Sequence, residues 1–202
     1  MNDQHLRNFT DIQLLECIAA RNTAAVSVLY DRFSKLIYGI ILAVVRDTDD
    51  AEDILQEVFM QIWKNASTYQ PALGSPKTWM ARLAHNRAID LLRSKRYRQR
   101  KSEVAGLDSE NMDATPPAEY IDNNTWRQTV NNEQSGHISR AMARLPHEQR
   151  NLIDMAFLQG YTHQEIATAT NIPLGTVKTR IRSGMQELRS YLSGTYVEVP
   201  GA

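Results

Sequence analysis

The chain has 202 residues, enough for one large domain or two small ones, and two modest domains are expected. With 42% hydrophobic and 23% charged residues it is neither a disordered nor a fibrous sequence. Its formal net charge is zero, but residues 77–101 carry nine Lys or Arg against one acidic residue, and residues 102–134 one against seven. Residues 1–76 are net acidic and 135–193 net basic, and block asymmetry of this kind points to a polyanion partner.

The longest apolar run, Leu36 to Val45, lies between Lys35 and Arg46 and is too short to span a bilayer. The polar start, Met1 to Thr10, lacks the order of a secretory signal, so no membrane insertion and a cytoplasmic location are expected. The single Cys17 excludes an internal disulfide, and among Leu14, Leu15 and Ile18 it reads as a buried thiol.

In chain order, Val28, Leu29, Phe33, Leu36, Ile37, Ile40, Ile41, Val44 and Val45 recur at helical spacing. So do Ala51, Ile54, Leu55, Val58, Phe59, Ile62 and Trp63. The acidic run Asp47, Asp49, Asp50, Glu52, Asp53 and Glu57 fails as a calcium loop, because Glu52 stands where glycine is required and Val58 where the closing glutamate belongs. It reads instead as the negative face of an amphipathic helix, suited to a basic protein partner.

Tyr69 to Lys77 is a loop with Pro71, Gly74, Ser75 and Pro76, and Ser75-Pro76 opens a helix that runs to about residue 98. At 100° per residue, Arg82, Asn86, Arg93, Arg96 and Arg100 share an arc of about 80°, with Ile89 inside it. Met80, Leu83, Ala84, Ala88, Leu91 and Leu92 fall on the other side. Aligned arginines can track phosphates, and an amide such as Asn86 offers a donor and an acceptor to a base edge. Tyr69 and Trp79 beside them are equipped to hold unstacked bases, although core or loop packing is the simpler account of the two rings.

Residues 102–134, with Gly106, Pro116-Pro117 and few aliphatics, form an acidic linker in which Tyr120 and Trp126 stand out. Thr162-His163-Gln164-Glu165 is a capping box, Asn171 suits a left-handed turn, and a second helix opens near Leu174. Val177, Ile181, Met185, Leu188 and Leu192 form its inner face, leaving Lys178, Thr179, Arg182 and Ser183 outward. This is a helix-turn-helix whose second helix can read base edges in the major groove. No phosphate-binding glycine loop, metal-spaced histidine pair or catalytic constellation is visible, so no metal, no cofactor and no enzymatic activity are expected. The fold class is therefore all-α, with two small helical domains over 8–101 and 135–193 joined by a flexible acidic linker over 102–134.

Asp50 to Phe59, Thr78 to Asp90, Leu145-Pro146 and Ile172 to Arg180 together resemble bacterial sigma factors of the extracytoplasmic-function class, over about residues 10–192. The resemblance implies a subunit that binds core RNA polymerase and directs promoter-specific initiation. It assigns Asp53, Gln56 and Glu57 to the polymerase coiled coil. It assigns Tyr69, Trp79, Arg82, Asn86, Arg93, Arg96 and Arg100 to the minus-ten element, with Asn86 at an extruded base. Thr176, Lys178, Thr179, Arg180, Arg182 and Ser183 are assigned to the minus-thirty-five element. It also implies an anti-sigma partner. A regulator acting on duplex operators without polymerase would explain residues 162–192 but leave the basic stripe and the acidic helix without a task.

Overall fold

In the computed structural model of the chain, residues 3–104 and 133–196 are described, and every regular element among them is helical. Two compact units divide the chain, residues 1–95 and 96–202.

The first unit contains α1 (Asp3–Leu6), α2 (Asp11–Ala19), α3 (Thr23–Val45), α4 (Thr48–Asn65) and most of α5 (Pro76–Val104). α1 lies ahead of the domain start expected at residue 8, and Leu6 at its end is fully buried. Each following helix begins on a side chain that satisfies its free amides. Thr10 and Gln13 form a capping box on α2, Asn22 caps α3, and the Asp47 carboxylate accepts from Asp50 N–H at 2.9 Å on α4. α3 stops at Arg46, which sits in the left-handed region at φ 59°. Arg32 ties the start of the chain to α3, donating to Asp11 at 2.7 Å and to the carbonyls of Arg7 and Phe9 at 2.8 and 2.9 Å.

The predicted apolar stripe of α4 is the buried one, from Ala51 to Ile62, with Trp63 half-buried at its edge. Leu14, Leu15, Ile18, Leu29, Ile37, Ile41 and Met80 complete the core, and each such side chain contributes roughly 1.5–3 kcal/mol on burial. Cys17 is only half-buried, because Leu14, Leu15 and Ile18 define the inner face of α2 and residue 17 lies about 100° around from Ile18.

The second unit holds α6 (Glu133–Arg144), α7 (His147–Phe157), α8 (His163–Thr170) and α9 (Leu174–Tyr196) around Met142, Leu152, Ile153, Met155, Ile166 and Val177. The predicted capping box is present: Glu165 N–H donates to Thr162 Oγ1 at 3.2 Å, and Thr162 N–H donates to Glu165 Oε2 at 2.6 Å. Asn171 ends α8 at φ 53°, the left-handed geometry expected of it. Met185, expected inward, is 40% exposed. The buried arc of α9 is centred on Gly184, Val177, Leu188 and Ile181, and Met185 lies about 80° from Val177, just outside it.

The segment 102–134 falls outside the described residues except for its helical ends, and so do Tyr120 and Trp126. No helix among the described residues is long and apolar enough to cross a membrane.

Candidate functional site

Three surfaces carry the residues singled out by sequence. On α4, Glu52, Asp53, Gln56 and Met60 are exposed and share an arc of about 100° opposite the buried stripe. Met60 is 58% exposed and was not among the expected contacts, although its helical phase sets it on this face and outside the apolar stripe. Asp50 and Glu57 lie on the shoulder of that arc and turn to α5, where Lys95 Nζ pairs with Asp50 and Arg87 Nε with Glu57. The hydrogen bond from Arg87 holds the Glu57 carboxyl below the usual carboxylate range; partial burial opposes this and the charge of Arg87 adds to it. The same bond raises Arg87 above its ordinary value.

The second surface is concave. A cavity of about 230 Å³ lies where the loop after α4 meets the first turns of α5. The loop contributes Thr68, Tyr69, Gln70, Leu73 and Gly74, and the helix contributes Thr78, Trp79, Arg82, Leu83 and Asn86. Sequence reading found Tyr69, Trp79, Arg82 and Asn86, which the fold brings together. It missed Gln70, Leu73 and the two threonines, which stand out only once the loop is folded.

The loop is held rather than open-ended. Two short 3₁₀ turns, Ala66–Thr68 and Pro71–Leu73, flank Tyr69, whose hydroxyl donates to the Gly74 carbonyl at 2.9 Å. The Tyr69 and Trp79 rings meet edge to face with centroids 5.7 Å apart. Gly74 takes φ 138°, a conformation closed to residues with a Cβ, and lets the chain turn into α5. There Ser75 Oγ accepts from Thr78 N–H at 3.2 Å as the predicted cap. An apolar and aromatic wall with amide, hydroxyl and guanidinium groups at its edge suits a single planar heterocycle whose rim carries acceptors and donors.

Farther along α5 the predicted stripe is interrupted. Arg82, Asn86 and Arg93 are exposed and Arg96 is half-buried, but Ile89, inside the same arc, is only 7% exposed. The side chain of Arg100 lies outside the described residues.

The third surface is α9. Lys178, Thr179 and Arg182 are exposed, with the Thr179 hydroxyl donating to its own helix at Gly175 O, 2.9 Å away. Thr176 is half-buried. Arg180 pairs with Glu148 of α7 at 2.9 Å, and half-buried Ser183 bonds Glu187 at 3.3 Å. The outward set is thus narrower than the spacing suggested.

Residues 29–98 match the family Sigma-70 region 2, and residues 141–190 match Sigma-70, region 4. The chain is 30% identical to the ECF RNA polymerase sigma factor SigK of Mycobacterium sp. (strain KMS) over 184 residues, 91% of each chain. It is 34% identical to the ECF RNA polymerase sigma factor RpoE of Cereibacter sphaeroides over 173 residues, 86% of this chain and 89% of the relative. Among solved structures it is similar to Rhodobacter sphaeroides SigE in complex with the anti-sigma ChrR, at 28% identity and a TM-score of 0.42, covering 92% of this chain and 98% of that one.

Proposed function

The chain belongs to the extracytoplasmic-function sigma factors, subunits that direct promoter-specific transcription initiation by RNA polymerase, and from that premise we propose how its surfaces divide the work. The exposed face of α4, with Asp53 and Gln56 at its centre and Glu57 on its shoulder, docks on a basic surface of core RNA polymerase. The cavity bounded by Tyr69, Trp79, Arg82 and Asn86 receives a base extruded from the minus-ten element, with Arg93, Arg96 and Arg100 following the phosphates beyond it. The exposed side chains of α9, Lys178, Thr179 and Arg182, read the minus-thirty-five element, with Thr176, Arg180 and Ser183 beside them.

The first domain, expected over 8–101, takes in α1 at its start, the second runs over 135–193, and the acidic segment 102–134 joins them. An anti-sigma protein that covers the polymerase-facing surfaces is the expected regulator. The work is done in the cytoplasm, where polymerase and promoter are, and no residue is assigned a catalytic step of its own.

The convergence of Tyr69, Trp79, Arg82 and Asn86 on one cavity carries this reading, because four residues assigned to the minus-ten element from sequence line the same space. A duplex-operator regulator has no use for such a cavity. Asn86→Ala should reduce open-complex formation on duplex promoters far more than on templates already mismatched across the minus-ten region. An equal loss on both templates would refute base capture by Asn86.

A further inference from the structure

Leu73 is 74% exposed, the most exposed large hydrophobic side chain among the described residues, and it stands at the edge of the cavity rather than on an open face. The backbone on both sides of it is fixed. Pro71 sets the start of its 3₁₀ turn, Leu73 N–H donates to Gln70 O at 3.0 Å, and Gly74 N–H donates to Pro71 O at 3.3 Å. The Tyr69 hydroxyl then fastens the Gly74 carbonyl. A loop tied down at three points presents an apolar side chain to solvent in one place, beside aromatic rings and the Arg82 guanidinium.

We propose that Leu73 is an apolar wedge that enters the base stack next to the cavity as the promoter opens, and that Tyr69 is the positioning residue that holds it there. The proposal rests on the reading of the cavity as the seat of an extruded base. When one base leaves the duplex, its former neighbours lose a stacking partner. An aliphatic side chain inserted at that step restores apolar contact and disfavours return of the base. Leucine is large enough to fill such a gap and has no polar group to satisfy. The Tyr69 ring lines the cavity, whereas its hydroxyl is used on the loop backbone, so the contribution of the hydroxyl passes through the position of Leu73 and Gly74.

The test uses holoenzyme reconstituted with core RNA polymerase and a promoter fragment that the holoenzyme recovers from genomic DNA. The fragment is supplied as a full duplex and with a non-complementary minus-ten segment, and unpaired thymines are read by permanganate. Leu73→Ala should lower the open fraction on the duplex by about tenfold and change it less than about twofold on the mismatched template. Leu73→Met, which keeps apolar bulk, should retain opening, and thermal melting of the free protein should not move for either variant. Tyr69→Phe, which keeps the ring and removes the bond to Gly74, should reproduce the duplex defect in part. Wild-type opening by Leu73→Ala, or equal loss on both templates, overturns the wedge. Asn86→Ala in the same assay separates the two levels. Loss with Asn86→Ala but not with Leu73→Ala leaves the cavity reading standing and refutes the wedge, whereas no loss with Asn86→Ala overturns both.

Discussion

Glu57 stands between two roles, bonded to Arg87 within the unit and placed at the edge of the surface proposed to meet the polymerase, and a charge exchange separates them. Glu57→Arg breaks the bridge, Arg87→Glu breaks it from the other side, and the double exchange restores an oppositely oriented pair across α4 and α5. A charged hydrogen bond is worth about 1.5–3 kcal/mol when shielded. Here the side chains are 45% and 34% exposed, so solvent screening brings the coupling to about 0.5–1 kcal/mol. The folded-state carboxyl of Glu57 titrates below the ordinary carboxylate range because Arg87 donates to it. The bridge therefore contributes its full stability above that ordinary range and loses it as pH falls through the lower, folded-state value. Urea denaturation of the four proteins at neutral pH should give a coupling of that size, and repetition in acid should show it shrinking. A coupling indistinguishable from zero at neutral pH, or one unchanged in acid, would refute the bridge as described. In a polymerase-binding titration, the double exchange should recover stability without recovering affinity if Glu57 also meets the polymerase.

The remaining expectations concern the second unit. A Cβ on Gly184 would lie 2.8 Å from Ile153 Cδ1 and 3.2 Å from Gln149 Cβ, so Gly184→Ala should destabilise by about 1–3 kcal/mol through overpacking, measured by thermal melting. Thr162→Ala removes one arm of the capping box and should cost about 1 kcal/mol in the same measurement, with Thr162→Ser restoring most of it. Arg182→Ala should cost about 1–3 kcal/mol on the preferred minus-thirty-five duplex and relax preference at one position. Arg180→Ala should weaken all duplexes alike and lower the salt slope by about one, and titrations at two salt concentrations distinguish the two behaviours.

Much of this was legible because helices announce themselves locally. The capping box at Thr162, the left-handed Asn171 and the Ser75-Pro76 start depend on neighbours within a few residues, and each is found as predicted. The stripe of α4 follows from periodicity alone. Phase falls short where a third partner decides. Met185 continues an apolar series yet is exposed; Ile89, the apolar member of the basic arc, is buried; and the pairing of Arg180 and Glu57 across helices is not expressed in spacing. Helical phase places a residue on a face but does not say where another helix lies over that face. The cavity was half legible: Trp79, Arg82 and Asn86 on its helical side were found in the sequence, whereas Leu83, which spacing sets on the other side, also lines it, and Gln70 and Leu73 belong to a loop whose path is set by the Tyr69 bond and the unusual torsion of Gly74.

On α9, Val177, Ile181 and Leu188 hold the helix in place, whereas Lys178, Thr179 and Arg182 project into solvent. Replacing one of the latter three changes the surface proposed to read DNA and costs the fold almost nothing, since no core contact is lost. An insertion in the turn at Asn171 to Pro173 has the opposite character. It would disturb the left-handed cap at Asn171 and displace Ile172 and Leu174, which pack against the core. The two kinds of change are therefore unequal: a substitution at one of the three exposed positions leaves the packing of α9 intact, whereas a change in the length of the turn does not.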